Sequence, residues 1–186
     1  MAADDILLDV DDRMDKALQH LKQSLGGIRT GRANPGLVDS LKVEVYGSQT
    51  PMKQLASVGA PEPQQILVRP YDPGTIKDIE RAIVNSNLGL APQNDGRVIR
   101  INVPPLTTDT RKKLVARIKE LTEEAKVSIR NVRRDGNKAA EQGEKDGDLT
   151  EDELGKAKDD IQELTKKYEA AAADMAKKRE DEVMEG

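Results

Sequence analysis

The stretch LVARIKELTEEAKVSIRNV, residues 114–132, decides the fold. Leu114, Ile118, Leu121, Ala125, Ile129 and Val132 recur every three or four residues. At 3.6 residues per turn they occupy one narrow arc of a helix. The pattern extends over 107–140, with Thr107 or Thr108 as N-cap after the stop Pro104-Pro105, and Gly143 and Gly147 bringing the chain to a turn. Upstream, Leu7, Val10, Met14, Leu18, Leu21, Leu25 and Ile28 form a second stripe over 4–30. Asp4 or Asp5 is its expected cap, Gly26-Gly27 weaken its last turns, and Gly31 and Pro35 end it. Downstream, Thr150 and Glu153 read as a capping box, followed by Leu154, Ala157, Ile161, Leu164, Tyr168, Ala171 and Met175. Each helix is marginal alone, so the three must bury their stripes against one another as a rod.

Between the first two helices the period changes. Leu41, Val43 and Val45 alternate with Lys42, Glu44 and Tyr46, a half-buried strand. Gln65–Arg69 and Val98–Val103 are further strands, the latter preceded by the turn residues Asn94-Asp95-Gly96. Asp72-Pro73 followed by Ile76, Ile79 and Ile83 reads as the cap, first residue and apolar face of a short helix. The expectation is an α+β protein. A long three-helix bundle, residues 1–30 and 106–186, is interrupted by a small β-rich α/β domain, residues 31–105. Two short tethers, Thr30-Gly31-Arg32-Ala33 and Val103-Pro104-Pro105-Leu106, join the parts and predict a hinge.

Leu, Ile and Val make up 41 of 186 residues, while Phe, Trp and Cys are absent, so the core must be aliphatic. Absence of cysteine excludes disulfides and thiolate chemistry and fits a reducing compartment. The first residues are acidic where a signal peptide needs basic ones, and the longest apolar run is Ala170–Ala173. A cytoplasmic monomer without membrane contact is expected.

The net charge of −4 conceals an asymmetry: residues 107–140 carry net +5 and residues 141–186 net −8. On the second long helix Lys112, Lys119, Lys126, Arg130 and Arg133 fall at about 100–160° from Leu114, flanking the apolar arc. Arg134 and Arg111 lie to either side. Such a row of forked and point donors matches a phosphate backbone. A solvated face with pairs to Glu120, Glu123 and Glu124 is the competing reading, although Glu123 alone lies near the row. No aromatic accompanies it, so backbone and shape recognition of folded RNA fits better than base stacking.

Other chemistry fails on its residues. Gly26 and Gly31 have P-loop spacing, but Arg32-Ala33 stand where Lys and Ser or Thr are required. His20 is the sole histidine and projects away from the core stripe, a solvated side chain. Asp11 and Asp15 are an ordinary i, i+4 pair. No nucleophile and base can be paired, so neither an enzyme nor a cofactor is expected.

Two segments are more specific. Ile28-Arg29-Thr30-Gly31-Arg32-Ala33-Asn34-Pro35 and Val127-Ser128-Ile129-Arg130-Asn131-Val132-Arg133-Arg134-Asp135 resemble the two signatures of bacterial ribosome recycling factors. Tyr46-Gly47, Thr50-Pro51, Gln54-Leu55-Ala56-Ser57, Asn87-Leu88-Gly89-Leu90 and Val103-Pro104-Pro105-Leu106-Thr107 match in order and spacing. The resemblance covers essentially the whole chain. It implies a tRNA-like outline and binding of the large ribosomal subunit, with the rod on ribosomal RNA. Elongation factor G would hydrolyse GTP and drive the hinged domain so that the ribosome splits. The RNA-contacting arginines of the family carry over onto Arg130, Arg133 and Arg134, and further onto Arg29, Arg32 and Arg111. An alternative is a helical adaptor that docks proteins through its acidic third helix without binding RNA. Gly136 and Gly143 depart from the family pattern by replacing better helix formers, and Ala139-Ala140 stand where larger apolar residues are usual. At about 1 kcal/mol per interior glycine, with Gly26-Gly27 acting likewise, softer rod ends are expected.

Overall fold

The computed structural model describes residues 2–86 and 88–185. Met1, Asn87 and Gly186, which fall in the expected domain spans and in the Asn87-Leu88-Gly89-Leu90 motif, lie outside the described residues. In chain order the elements are α1 (Ala3–Gly26), α2 (Gly36–Asp39), β1 (Lys42–Val45), β2 (Ser48–Pro51), α3 (Met52–Leu55), β3 (Ala56–Glu62) and β4 (Gln65–Pro70). Then follow α4 (Ile76–Val84), β5 (Ala91–Asn94), β6 (Ile99–Asn102), α5 (Thr108–Lys145) and α6 (Glu151–Glu185). They form two compact units, one of residues 2–28 with 111–185 and one of residues 29–110. The fold is α+β, a three-helix bundle and an antiparallel sheet domain.

In the bundle α1 buries Ile6, Val10, Met14, Leu18, Leu21 and Leu25. Ile6 takes the core position expected of Leu7, which is half-buried, because a helix with two neighbours presents a wider stripe than a single seam. Neither Asp4 nor Asp5 caps the helix. Ala2 holds the N-cap, and both carboxylates sit in the first turn, where the free N–H groups favour negative charge. The helix stops at Gly26, short of Ile28, with Gly27 as C-cap.

At the start of α5 the Thr107 hydroxyl accepts from the Thr110 N–H at 3.1 Å, the expected cap. The helix runs 38 residues to Lys145. It closes on Gly147 at φ 83°, with the Asp148 N–H donating to the Gly143 carbonyl at 2.8 Å. The capping box of α6 forms both ways: the Thr150 N–H donates to Glu153 at 2.8 Å and the Glu153 N–H to the Thr150 hydroxyl at 3.2 Å. The α6 stripe is rotated from the expected one. Ala157, Ile161, Thr165, Tyr168, Ala172, Ala176 and Val183 are buried, while Leu164, Ala171 and Met175 are half-buried. Thr165 can enter the core because its hydroxyl donates to the Ile161 carbonyl at 2.8 Å, as Thr122 does to Ile118 at 2.7 Å.

Gly136 is not a soft spot. A Cβ there would stand 2.6 Å from Val10 Cγ2 and 3.2 Å from Ile161 Cδ1, so α1, α5 and α6 converge on a position only glycine fits. Ala140 and Ala157, both essentially inaccessible, continue the close packing toward the α5–α6 turn. The small residues are a packing device, and the expected loss of rigidity does not follow for Gly136.

In the second unit the sheet order is β3-β4-β6-β5, all antiparallel, with β1 and β2 as a separate hairpin. Ile66, Val68, Ile99 and Ile101 from the two central strands bury against Ile76, Ile79 and Ile83 of α4, with Val43 and Val45 of β1 in the same core. Asp72 caps the 3₁₀ turn that opens α4 by accepting from the Gly74 N–H at 2.9 Å. Strands β3 and β5 carry no clear alternation and contain Pro61 and Pro92; both are edge strands, where the missing N–H is tolerated. The β1–β2 turn places Tyr46 at φ 52° and Gly47 at φ 77°, a pair of left-handed residues suited to a two-residue hairpin.

Candidate nucleic-acid interface

The basic row of α5 is present in space. Lys112, Lys119 and Arg134 are exposed, and Lys126, Arg130 and Arg133 are half-buried along the flank of the core stripe. Among the described residues no carboxylate forms an ion pair with Lys112, Lys119, Lys126, Arg133 or Arg134. Arg130 differs. Its Nε donates to Glu169 Oε1 of α6 at 3.0 Å, and its guanidinium reaches Glu123 Oε1 at 3.5 Å. Glu123 is therefore not the only acid beside the row, because α6 supplies Glu169 across the helix pair. Arg130 is held in place and partly neutralised, whereas Arg133 and Arg134 keep their donors for an external acceptor.

Lys119 and Lys126 also line a groove of about 310 Å³ between α5 and α6, where they meet Lys177. Glu123 and Glu180 share that groove. Lys177 was not among the sequence candidates. Its signal lies in the flanking positions of α6, which face α5 only once the helix pairing is known.

Of the remaining candidate arginines, Arg29 and Arg111 have internal duties. Arg29 donates to the Pro104 carbonyl at 2.6 Å, and its buried Nε has no hydrogen-bond partner. Arg111 donates to the Met184 carbonyl at 3.2 Å, placing a cation on the C-terminal turn of α6, where the helix dipole favours it. Arg32 is exposed.

Of the tether residues, Gly31 is buried with φ 78°, a conformation that favours glycine. The Ala33 N–H donates to the Pro63 carbonyl at 2.6 Å and the Val103 N–H to the Gln64 carbonyl at 2.8 Å. Both inner tether ends are thus pinned to the same β3–β4 turn. Leu106 is buried, Thr30 is half-buried, and Pro104 and Pro105 are exposed.

Elsewhere His20 is exposed. Among the described residues no group of three His, Cys, Asp or Glu is placed to hold a metal ion, and no helix is long and apolar enough to cross a membrane. Tyr168 is the one buried aromatic. Its phenol donates to Asp11 Oδ1, and burial, then the Asp11 carboxylate, pushes its pKa well above the usual tyrosine range.

What this arrangement offers is a fixed cationic row with no aromatic platform, suited to phosphate oxygens. Known proteins are similar to this chain over most or all of its length. The family described as ribosome recycling factor matches residues 21–184. A ribosome-recycling factor of Rhodopirellula baltica is 74% identical over 140 residues, 75% of each chain. One from Shouchella clausii is 50% identical over 181 residues, 97% of this chain and 98% of its own. A solution structure of the ribosome recycling factor aligns at a TM-score of 0.81 with 38% identity, covering 99% of this chain and 98% of the other. A second structure gives models for the T. thermophilus ribosome recycling factor and the E. coli elongation factor G bound to the E. coli post-termination complex. It aligns at a TM-score of 0.69 with 41% identity, covering 98% and 99%. With a family match across most of its length and relatives at this identity, the chain belongs to the ribosome recycling factor family.

Proposed function

We propose that this protein recycles ribosomes by binding the large subunit of post-termination complexes through the α5 row, with Arg133 and Arg134 on ribosomal RNA phosphates. Elongation factor G is its partner and hydrolyses the GTP; the chain itself catalyses nothing. The observation that carries the reading is whole-length similarity, at 41% identity, to a factor placed with elongation factor G on a post-termination complex. The unpaired cations of α5 supply the physical means, since each phosphate they neutralise releases condensed counterions. Residues 33–103 are proposed to reorient around the two tethers when the ribosome splits. Because Ala33 and Val103 are pinned to the β3–β4 turn, they belong to the moving unit, and rotation falls on residues 27–32 and 104–107.

Two measurements test this. The protein should pellet with purified large subunits in a salt-dependent manner. It should also accelerate the splitting of post-termination ribosomes, read by light scattering, only when elongation factor G and GTP are both present. A helical adaptor would do neither.

A further inference from the structure

A groove of about 650 Å³ runs between α1 and α6, lined by Leu7, Leu8 and Leu164 with Asp4, Asp160 and Glu163 among the residues at its edge. No residue of α5 lines it. Leu8 is 70% exposed, although a neighbouring residue, Ile6, is buried in the core. A leucine left in water in a groove that acidic residues also line is an apolar anchor point with a charge code beside it. The remaining charged groups of the groove are engaged internally: Asp11 accepts from the Tyr168 hydroxyl, and the Lys167 ammonium lies 5.3 Å from the Tyr168 ring centroid. Lys166 pairs with Glu163 at 3.6 Å, yet the four carboxylates Asp4, Asp11, Asp160 and Glu163 outnumber Lys166 and Lys167, so the rim is net negative.

From this geometry we infer that the α1–α6 groove is a docking surface for a basic, amphipathic protein segment. Such a segment would insert an aliphatic side chain against Leu8 and Leu164 and place Lys or Arg over Asp4, Asp160 and Glu163. The charge excludes the other occupants. Nucleic acid or an anionic membrane would meet a carboxylate rim, and a second copy of the same groove would bring like charges together. A cationic helix with aliphatic residues at helical spacing satisfies both features at once. The inference stands apart from the RNA reading of α5, since it uses a different pair of helices and the opposite charge.

The probe is a fluorescein-labelled peptide of twice-repeated Lys-Leu-Ala-Lys-Leu-Ala-Lys, titrated with the intact protein by anisotropy and by amide NMR shifts. Saturable one-to-one binding is expected, with shifts centred on residues 4–11 and 160–167. Asp4→Lys with Glu163→Lys should weaken it about tenfold or more through charge reversal at the rim. Leu8→Ser, at an exposed site that leaves the fold intact by circular dichroism, should weaken it about fivefold through loss of the anchor. Equal binding by oligolysine, or unchanged binding by either variant, would overturn the proposal. So would sedimentation showing a dimer of the parent that Leu8→Ser dissolves, because the occupant would then be a second copy.

Discussion

Gly136 of α5 lies so close to Val10 of α1 that an added Cβ would stand 2.6 Å from Val10 Cγ2. Helix propensity alone favours alanine at this position by about 1 kcal/mol. Packing opposes it, since forcing a methyl into a filled core costs about 1–3 kcal/mol. Gly136→Ala should therefore lower the urea midpoint followed at the helical circular-dichroism band. Combining it with Val10→Ala should recover part of the loss, because the new methyl enters space that the valine vacates. A stabilised single variant would mean that the three helices do not converge there.

Arg130 and its neighbours should separate by partner. Arg133→Ala with Arg134→Ala should reduce affinity for the large subunit at least tenfold, about 1.4 kcal/mol, and flatten its salt dependence. Arg130→Ala should cost less, because its guanidinium must leave Glu169 to reach a phosphate. Glu169→Gln should tighten binding by freeing that cation. Equal losses for Arg130 and Arg133, with no effect of Glu169→Gln, would show that the ion pair does not compete with RNA.

The tether proposal is testable by spin labels. One nitroxide at Gln19 in α1 and one at Ser48 in β2, both exposed sites, should give a broad distance distribution in the free protein. Labels at Gln19 and Lys178, within the bundle, should give a narrow one. Binding to a post-termination ribosome should narrow the first pair alone. A first pair already as narrow as the second, and unchanged on binding, would rule the hinge out.

Much of the fold is legible in the sequence where one interaction dominates. The Thr150–Glu153 box, the Asp72 cap and the alternation of β1 are local devices read from a few residues. The α6 face is misread because hydropathy favours Leu164 and Met175, whereas close helix approach selects Ala172, Ala176 and a self-satisfied Thr165. Edge strands β3 and β5 leave little pattern, since one side of each has no partner and proline is admitted. In the candidate site the α5 row follows from helical geometry alone. Glu169, Lys177 and the carbonyls that occupy Arg29 and Arg111 come from elsewhere in the chain, and no spacing rule on α5 reveals them.

Tyr168 should give the bundle an alkaline limit. The residue is buried, and burial together with the Asp11 carboxylate raises its folded pKa above the value of about 10 expected in the unfolded chain. The sign follows from which state binds the proton more tightly. Below pH ~10 both states hold it and the contribution is complete. Above that, the unfolded chain loses its proton while the folded one must keep it, so stability falls as pH rises toward the folded pKa. The exposed Tyr46, raised by its hydrogen bond to Asp72, pulls the same way in the other unit. Bundle stability measured by urea unfolding should hold level through neutral pH and decline above pH ~10. Tyr168→Phe should start lower, having lost the bond to Asp11, and show a shallower decline. If the phenylalanine variant loses stability with the same slope, the alkaline limit belongs to other groups, first among them Lys16, whose pKa is raised by its hydrogen bond to Asp12.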